Sequence, residues 1–533
     1  MPAGSPSAGD RARWSDYLPI AVLCMGAALM LFWRLGLRSL EDWDEALYMQ
    51  MCKEMVQTGN WLTLHLDGKP WYDKPPLFFW ATSLLYKLFG ITEFTSRAVS
   101  AASGVGVLAV TWLIARRAYD AATGMVAAII LLCSYQFVWS SRFATTDVML
   151  TFFLLLAIYG YLRLETDGPR MWYPICLAIT AAFMIKSAAA VVAPAAIALA
   201  AALDGQALRW LRTRQFWLAV LLSLAVMLPW HAYMLAKHGE AFWRVYFGWN
   251  LVERATSTFD QHVGGPEYYF NRLYRYFFPW VLLAAFAVVA EVEQFVRGRT
   301  RGRIVLVFTL VVLLLYTIVK TKLRWYIAPL YPTLALSCAA LVVRAVRQRD
   351  PAAMAALVVA AVMATCMSAG ALPPVVALGA GAVTIGVWVW WARVRIALTA
   401  VTACTLLVAI AVPSLVPLYT EGERQVEAIG RVVRRHPSTL PLIAADGFER
   451  PASRFYCDRS VLWAHNRAQL HKYMADGKPK EVIIQDGKSR DLKERYEVNV
   501  IGRARGANYV RITPRRDLPT TAPASQPTPA TQP

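Results

Sequence analysis

The sequence is poor in charged residues, and its cysteines form no pattern that would hold a secreted protein together. Asp, Glu, Lys and Arg make up 17% of its 533 residues, whereas an average soluble domain contains about 25%. Eight cysteines are present, but none forms a CxxC pair or a metal-ligand spacing, so we interpret them as small core residues. Together with a hydrophobic content of 57%, these features exclude a cytosolic enzyme, a disordered scaffold and a disulfide-rich secreted protein.

Two further features are missing from the chain. No repeat of 20–50 residues is found, and no small-residue cleavage site follows the first apolar run, which predicts that this run stays as a membrane anchor. Apolar runs of membrane-spanning length, about 20 residues, recur instead from Leu18 to about Leu418. They predict a polytopic α-helical membrane protein with about thirteen spans, at 16–36, 97–115, 121–140, 145–162, 171–185, 188–203, 215–235, 277–296, 304–319, 326–343, 352–371, 374–391 and 397–418.

The positive charge of the chain follows the predicted loops. Lys and Arg number 55 against 35 Asp and Glu, a net charge of +20. Basic groups occur on every second loop, and because cytoplasmic loops attract Lys and Arg, the amino terminus is predicted inside and the carboxyl end outside. The run 171–203 has basic flanks on both sides, which predicts a hairpin turning near Lys186-Ser187. The excess charge is therefore interpreted as an orientation signal, and no nucleic-acid partner is expected.

The composition divides the chain into four parts. Residues 1–15 are predicted to be a cytoplasmic segment and 16–420 a transmembrane domain with large external loops at 37–96 and 236–276. Residues 421–512 contain five β-like runs separated by polar helix-like stretches, with turns at Asp446-Gly447 and Asp486-Gly487, which is typical of a small α/β domain. This domain is predicted to lie outside the membrane. The Pro/Thr/Ala-rich tail, 513–533, is predicted to be disordered.

The first external loop carries an acidic cluster. Four carboxylates, Glu41, Asp42, Asp44 and Glu45, lie within five residues directly after a membrane helix. Mutual repulsion and burial against apolar surface both raise carboxyl pKa values, which favours a base or a metal ligand. The alternative is a solvated loop end. Lys74, held in an extended segment by the prolines after it, could bind a phosphate as a point charge or only reach the membrane interface.

Other candidate residues lie on later external segments. Lys320, Lys322 and Arg324 contradict the positive-inside rule, which indicates that they bind an anion such as a lipid phosphate; a headgroup contact without catalysis is the alternative. His262, in the second large loop, could be a metal ligand, an acid–base group or neither. Asp147 lies close to hydrocarbon at a helix start, where it is a functional candidate or a helix cap.

Five separated motifs, in order along residues 16–420, resemble one superfamily of membrane glycosyltransferases. It contains the lipid A aminoarabinose transferases and the protein O-mannosyltransferases, and its members have the GT-C type of fold. The motifs are Asp44-Glu45-Ala46-x-Tyr48, Met55 with Gly59-x-Trp61, Tyr72-x-Lys74-Pro75, Arg142-x-x-x-x-Asp147 and Lys322-x-Arg324-x-Tyr326-Ile327-x-Pro329. The predicted topology, with a re-entrant first external loop and an external carboxyl-terminal domain, resembles that family too.

The resemblance implies an enzyme that takes a sugar from a polyprenyl-phosphate donor and passes it to an acceptor. The acceptor classes left open are a lipid A-like glycolipid, a cell-envelope glycan and a protein hydroxyl. In this family Asp44, with its neighbour Glu45, corresponds to the catalytic carboxylate, and Asp147 corresponds to a second acid. The donor phosphate would be bound by Tyr72, Lys74, Arg254, Lys322, Arg324 and Tyr326. Its polyprenyl tail would lie in a groove lined by Phe78, Phe79 and Trp80.

The resemblance also implies a location and leaves a cofactor open. In the aminoarabinose transferases, a glutamate and a loop histidine hold a metal, and the corresponding residues here are Asp73 and His262. Since aspartate is one methylene shorter, both a divalent metal and no metal stay open. The location implied is the bacterial inner membrane, with the catalytic face and the carboxyl-terminal domain in the periplasm. The expected reaction is a single displacement that inverts the anomeric centre.

Two other functions remain open from the sequence. A polyprenyl-lipid transporter or flippase would also have many helices and basic residues at lipid depth. The sequence has no inverted repeat and no Gly/Pro-broken pair of helices in matching halves, which transporters often show. A structural membrane protein with an external binding domain is the other alternative, but it leaves the acidic loop and the external cations without a role.

Overall fold

The computed structural model describes residues 17–253, 264–298, 302–357, 359–360 and 421–515. The first part of the chain is helical, with a short antiparallel hairpin of β1 (Leu64–Leu66) and β2 (Lys69–Trp71). Its helices are α1 (Leu18–Phe32), α2 (Asp44–Thr58), α3 (Leu77–Phe89), α4 (Glu93–Ala118), α5 (Ala121–Leu132), α6 (Tyr135–Ser141), α7 (Thr146–Asp167), α8 (Trp172–Ala190), α9 (Val192–Leu203), α10 (Ala207–Leu211) and α11 (Arg214–Trp243).

The chain continues with four more helices, a π-helical segment and a 3₁₀ turn. A π-helical segment, Arg244–Glu253, extends α11. The helices are α12 (Tyr268–Tyr276), α13 (Trp280–Val296), α14 (Arg303–Ile318) and α15 (Leu330–Arg347). A short 3₁₀ turn, Arg324–Ile327, links α14 to α15. Another, Pro169–Met171, precedes α8.

The helix ends follow from the local sequence. Helix α2 begins with Asp44 and Glu45, whose charges suit the positive end of the helix dipole. It ends at Gly59, whose φ of 69° is left-handed and favours glycine. Helix α4 begins at Thr92, which exchanges hydrogen bonds with Thr95 in a reciprocal cap. The segment 37–96, predicted as a large external loop, therefore contains two helices, α2 and α3, and the start of α4.

The predicted number of spans is not confirmed. Within the described ranges, five helices are long and apolar enough to cross a membrane, or six if one bent pair counts as a single span. That pair is α5 and α6, which meet at 75°, so the predicted span 121–140 is broken near Ser134. The predicted spans 352–371, 374–391 and 397–418 lie outside the described residues, except for 352–357 and 359–360.

The carboxyl-terminal part forms a mixed five-stranded sheet. Its helices are α16 (Glu421–Arg434), α17 (Pro451–Cys457), α18 (Arg467–Met474) and α19 (Ser489–Leu492). Its strands are β3 (Leu442–Ala445), β4 (Val461–Ala464), β5 (Lys480–Gln485), β6 (Tyr496–Ala504) and β7 (Ala507–Pro514). The order is β4-β3-β5-β7-β6, with β3 parallel to β4 and β5, and β7 antiparallel to β5 and β6. All five β-like runs predicted from sequence are strands.

The sheet and the helical part are in contact. Helix α17 packs on α2, and the buried side chains of α16 and α17 belong to the same apolar core as the membrane helices. The buried face of α15 contributes Tyr331, Leu334 and Leu336 to this core. A hydrogen bond between Ala144 and Glu45 joins the amino ends of α2 and α7. Lys186 of α8 joins the start of α7 to Tyr326, which precedes α15. Most of the candidate residues lie on these segments.

Candidate functional site

Glu45 is the centre of the region where α2 begins. Its carboxylate is fully buried and accepts hydrogen bonds from Nε and Nη2 of Arg97, at 2.7 and 2.8 Å. The backbone N–H groups of Ala144 and Glu41 also donate to it, at 2.8 and 2.7 Å. Arg97 in turn donates to the carbonyl groups of residues 35, 38 and 39. This ion pair therefore joins the first loop, α4 and the segment before α7.

Asp44 is the first residue of α2 and is half-buried. Trp43, directly before it, has a φ of 70°, in the left-handed region that residues with side chains rarely adopt. A strained residue of this kind costs about 1–3 kcal/mol and persists only where its surroundings hold it. Asp44 is thus presented by a strained turn between Asp42 and the buried Glu45.

Asp147 lies in the first turn of α7 and is 5% exposed. Its Oδ1 accepts a hydrogen bond from Nζ of Lys186 at 2.7 Å. Lys186 interrupts the helical backbone of α8, with φ −157° and ψ 83°. This interruption lies where the sequence predicted the turn of a hairpin. Because Ala144 contacts Glu45, the amino ends of α2 and α7 are adjacent, and both predicted acids lie in one region.

Tyr326 lies beside Lys186, the partner of Asp147. The ammonium of Lys186 is 5.1 Å from the centre of its ring, a cation–π contact. The ring of Tyr326 also packs against Tyr316 of α14, with 5.4 Å between the ring centres. The structure thus brings Asp147 and Tyr326 together through Lys186. Lys186 was predicted only as a turn residue, although a lysine inside an apolar run is itself a signal of function.

The two cations near Tyr326 have different partners. Arg324 lies on the face of Trp139 of α6, with its guanidinium carbon 4.4 Å from the ring centre. Lys322 is 4% exposed, and its Nζ donates to the carbonyl groups of Thr317 and Val319, at 2.7 and 3.0 Å. It therefore caps the carboxyl end of α14, where a cation is favourable. Burial lowers the pKa of the Lys322 ammonium below its usual range, and Glu267 opposes this shift.

Tyr72 and Lys74 follow the β1–β2 hairpin. The hydroxyl of Tyr72 is 3.1 Å from Nδ1 of His238, whose Nε2 is 3.0 Å from the hydroxyl of Thr63. Burial raises the pKa of the Tyr72 phenol. Lys74 is 7% exposed. The sequence did not indicate His238 as a partner of Tyr72, because the two residues are about 170 positions apart in the chain.

These residues connect to the Lys186 region through α8. Tyr72 packs beside a buried cluster that contains Met184, two residues before Lys186, and Phe242 of α11. The ring of Phe242 stacks on Tyr246, with 4.8 Å between centres. The predicted phosphate-binding residues Tyr72 and Tyr326 are therefore both near the break in α8, the first through the cluster with Met184 and the second through Lys186.

An apolar cavity of about 420 Å³ opens between α3, α8 and α11. Trp80 and Trp230 line it, and their indole N–H groups donate to the carbonyl groups of Trp61 and Leu62. The three residues predicted to line a lipid groove differ in their position relative to this cavity. Trp80 lines the cavity, but Phe78 and Phe79 are fully buried in the core and do not.

Of the three remaining candidate residues, the structure describes one. Arg254 and His262 lie outside the described residues, and Asp73 is half-buried beside Tyr72. Over the part of the chain that the structure describes, no three His, Cys, Asp or Glu side chains come close enough to hold a metal ion. Of the two residues predicted to bind a metal, Asp73 is therefore the one whose surroundings are known.

Comparison with known proteins relates the chain to membrane glycosyltransferases. The family model for dolichyl-phosphate-mannose-protein mannosyltransferases matches residues 73–233. Undecaprenyl phosphate-alpha-4-amino-4-deoxy-L-arabinose arabinosyl transferase 1 of Pseudomonas fluorescens is 29% identical over 334 residues, which is 61% of this chain and 59% of that protein. An uncharacterized protein of Aquifex aeolicus is 28% identical over 311 residues, 58% of this chain and 60% of that protein. The chain thus aligns with about three fifths of each relative.

Solved structures share the fold over a larger part of the chain. The crystal structure of ArnT from Cupriavidus metallidurans bound to undecaprenyl phosphate has a TM-score of 0.74 at 17% identity, covering 96% of this chain and 100% of that chain. The oligosaccharyltransferase of Archaeoglobus fulgidus in its apo form has a TM-score of 0.55 at 11% identity, with 95% and 75% covered. The family resemblance predicted from the five motifs is confirmed.

Proposed function

We infer that this multi-pass membrane protein, a relative of ArnT and of the protein mannosyltransferases of the GT-C type, transfers a sugar from an undecaprenyl-phosphate carrier to an acceptor. One observation carries the proposal. A continuous set of contacts joins the acidic start of α2 to Asp147, Lys186 and Tyr326, beside an apolar cavity. A carboxylate, cations and a phenol are thus concentrated next to a surface suited to a lipid chain.

The proposed site binds the donor by its two chemically different ends. The polyprenyl tail lies along the apolar cavity lined by Trp80 and Trp230. The phosphate is bound by Lys74, Tyr72, Arg324 and Tyr326. Breaking the glycosidic bond leaves negative charge on the phosphate oxygens, and fixed cations and phenols stabilise this charge most strongly where water is excluded. Arg254, outside the described residues, completes the proposed set.

Asp44 is the proposed base. It takes the proton of the acceptor hydroxyl as that oxygen attacks the anomeric carbon and the carrier phosphate leaves. A positioned base contributes about 10²–10⁴-fold to the rate. A single displacement of this kind inverts the anomeric centre. The acceptor is a glycolipid, an envelope glycan or a protein hydroxyl, and membrane lipids surround the site.

The two other acids have supporting roles in this proposal. Asp147 is paired with Lys186, so it orients that ammonium beside Tyr326. Glu45 uses its oxygens on Arg97 and two backbone N–H groups, so it holds the start of α2 in place. Lys322, which caps α14, fixes the segment that carries Arg324 and Tyr326.

A divalent metal would be held by Asp73 and His262 in this proposal. The described residues include one of these two, and every step above uses the protein's own side chains. A bound metal would supply additional positive charge to the carrier phosphate. The protein is proposed to lie in the bacterial inner membrane, with residues 1–15 in the cytoplasm and the site in the periplasm.

Transfer from a labelled undecaprenyl-phosphate sugar to lipid or protein acceptors tests the proposal. The purified protein in detergent is compared with its Asp44→Asn and Lys74→Ala variants. We expect Asp44→Asn to lower kcat by about 100-fold or more and Lys74→Ala to raise the KM for the donor. Lys69→Ala, which removes an exposed lysine from β2 of the same loop, is the matched control.

Unchanged turnover in both variants would remove the assignment of the site. The flippase alternative makes a different prediction in sealed vesicles. There the labelled carrier lipid would change leaflet with its sugar still attached and without any product being formed.

A further inference from the structure

The turn that presents Asp44 is held from two sides. On one side Glu45 is fixed by Arg97 and by the amide of Ala144. On the other side Asp42 precedes Trp43, the residue with the left-handed backbone. Such a backbone persists only where neighbouring contacts determine it. The contacts of Asp42 therefore decide where Asp44 lies.

Asp42 is bound by the carboxyl-terminal domain. Its Oδ2 accepts a hydrogen bond from Nη1 of Arg450 at 3.2 Å, and its Oδ1 accepts one from the backbone N–H of Ala452 at 3.3 Å. Both partners lie at the start of α17. The same domain supplies a contact between Glu427 of α16 and the hydroxyl of Ser39.

Tyr456 of α17 adds a buried contact to the same turn. Its hydroxyl accepts a hydrogen bond from the backbone N–H of Leu40 at 2.8 Å and donates one to Glu93 at 3.0 Å. The side chain is 3% exposed. It therefore ties the segment before Asp42 to the start of α4, which also carries Arg97.

The body of α2 is bound to the same helix. Nζ of Lys53 donates to the carbonyl group of Phe455 at 2.9 Å and lies 2.6 Å from Oδ1 of Asp458. In the hairpin after α2, Asp67 lies 2.9 Å from Nε of Arg454. Helix α17 and its flanks thus contact the segment before α2, Lys53 within α2 and the hairpin after it.

We propose that the carboxyl-terminal domain positions Asp44, with Arg450 and Tyr456 as positioning residues that fix the turn through Asp42 and Leu40. This inference rests on the proposed function, because it assigns a role toward the proposed base. The domain is then part of the catalytic unit, in place of a separate module that only docks the acceptor.

The role predicts a particular kinetic signature. Of the residues proposed to bind the carrier phosphate, Arg324 and Tyr326 lie between α14 and α15, and Tyr72 and Lys74 follow β2. The contacts of Arg450 and Tyr456 are instead with Asp42, Leu40 and Glu93. A shift of a catalytic group by about 1 Å can cost about 100-fold in rate. Loss of the positioning contacts should therefore lower kcat and leave the donor KM unchanged.

The experiment measures kcat and the donor KM with a labelled undecaprenyl-phosphate sugar for Tyr456→Phe, Arg450→Ala and Asp42→Asn. Tyr456→Phe removes one oxygen and keeps the packing volume. Tyr473→Phe is its matched control, because the Tyr473 hydroxyl bonds to Trp463 within the same domain. Arg490→Ala, at an exposed arginine of α19, is the control for Arg450→Ala.

We expect Tyr456→Phe and Arg450→Ala to lower kcat by about tenfold or more, with donor KM within about twofold of wild type. The double variant of Asp42→Asn with Arg450→Ala should lose no more than the more impaired single variant, since both remove one interaction, and Arg450→Lys should recover part of the rate. Thermal unfolding of each variant is followed in parallel, and the controls should keep wild-type kcat.

Several results would overturn the inference. These are wild-type kcat in both positioning variants, a loss of kcat that only tracks a lower unfolding temperature, and independent effects of the two substitutions in the double variant. A rise in KM with constant kcat would overturn it too, since it indicates a binding role. If wild-type protein transfers no sugar, the proposed function fails, which is distinct from an active wild type with unaffected variants.

Discussion

At the scale of single residues, some buried charges of this protein stabilise the fold, whereas others lie in the candidate site. The pair of Glu45 and Arg97 has side chains that are 0% and 3% exposed, and Arg97 has further carbonyl partners. A buried ion pair is costly to break, because removal of one partner leaves an uncompensated charge. Asp147 and Lys186 form a second ion pair, and Lys186 also faces the ring of Tyr326 in the candidate site.

The first prediction concerns Arg97. We expect Arg97→Met to destabilise the protein by about 3–5 kcal/mol, because Glu45 then stays buried without its partner. Thermal unfolding in detergent, followed by circular dichroism, measures the effect. Arg163→Met is the matched control, since Arg163 pairs with Asp167 on the surface and is 42% exposed. That control should cost no more than about 1 kcal/mol, and equal losses in the two variants would contradict the prediction.

Lys322 illustrates why residue roles are hard to predict from motifs. Its position on an external loop predicted an anion, and this prediction stays open. Its ammonium reaches the carbonyl groups of residues 316, 317 and 319 at the end of α14. Lysine can satisfy those carbonyls only because the loop turns back after Val319, and no sequence spacing indicates such a turn.

At the scale of elements, local signals identified the strands of the carboxyl-terminal domain correctly. Short runs rich in β-branched and aromatic residues are bounded by turns, and the strands β3 to β7 follow those runs. The buried carboxylate of Glu481 in β5 was not predicted as a structural centre. Three side chains converge on it: Arg459 and Arg511, at 2.7 and 3.0 Å, and the hydroxyl of Tyr509.

The second prediction follows from the ionisation of Glu481. Burial raises the pKa of this carboxyl, but hydrogen bonds from Tyr509, Arg459 and Arg511 outweigh it and hold the pKa below its usual range. A carboxyl with a lowered pKa stabilises the fold above its unfolded pKa, about 4.3, and the stabilisation is lost as the pH falls through the folded value. Glu481→Gln should therefore destabilise the sheet by about 1.5–3 kcal/mol at neutral pH, and by progressively less below about pH 4.

Hydrogen–deuterium exchange of the amides in β5 and β7, corrected for intrinsic rates between pH 3.5 and 7, measures this difference. Glu497→Gln, on the edge strand β6 with an exposed side chain, is the control and should leave protection unchanged. A difference between wild type and Glu481→Gln that does not vary with pH would refute the explanation.

At the scale of the whole molecule, the membrane topology stays a prediction. Basic groups on alternate loops predict that the carboxyl-terminal domain and the candidate site lie on the outer side. Sequence runs measure apolar length, but a span also requires an unbroken helix. The bend of 75° between α5 and α6 divides one predicted span, and the apolar helices α1, α9 and α14 have 15, 12 and 16 residues, so the count of spans from runs was not confirmed over the described part of the chain.

The third prediction tests the orientation. Single cysteines are introduced as Arg490→Cys in the carboxyl-terminal domain and Arg209→Cys in a loop predicted to be cytoplasmic, after replacement of the native cysteines. Both positions are exposed. In spheroplasts, a membrane-impermeant maleimide should label the first variant and reach the second only after detergent is added. The reverse pattern would invert the proposed topology and place the site on the cytoplasmic side.

Most of the secondary structure and the identity of the candidate groups were available from the sequence. Apolar run lengths, turn residues and caps act over a few neighbouring positions, so they predicted the helical membrane part, the five strands and the acids at 44, 45 and 147. The five motifs indicated a relationship to membrane glycosyltransferases, and the comparisons confirmed that relationship.

The tertiary structure decided which of these groups meet. The contacts of Asp147 with Lys186, Tyr72 with His238 and Asp42 with Arg450 join positions between about 40 and 400 residues apart. Such contacts depend on how helices pack and on how the carboxyl-terminal sheet docks on α2, and local sequence carries no record of either. Composition therefore determined that this chain crosses a membrane, whereas packing determined which charges are neutralised inside the fold and which side chains form the site.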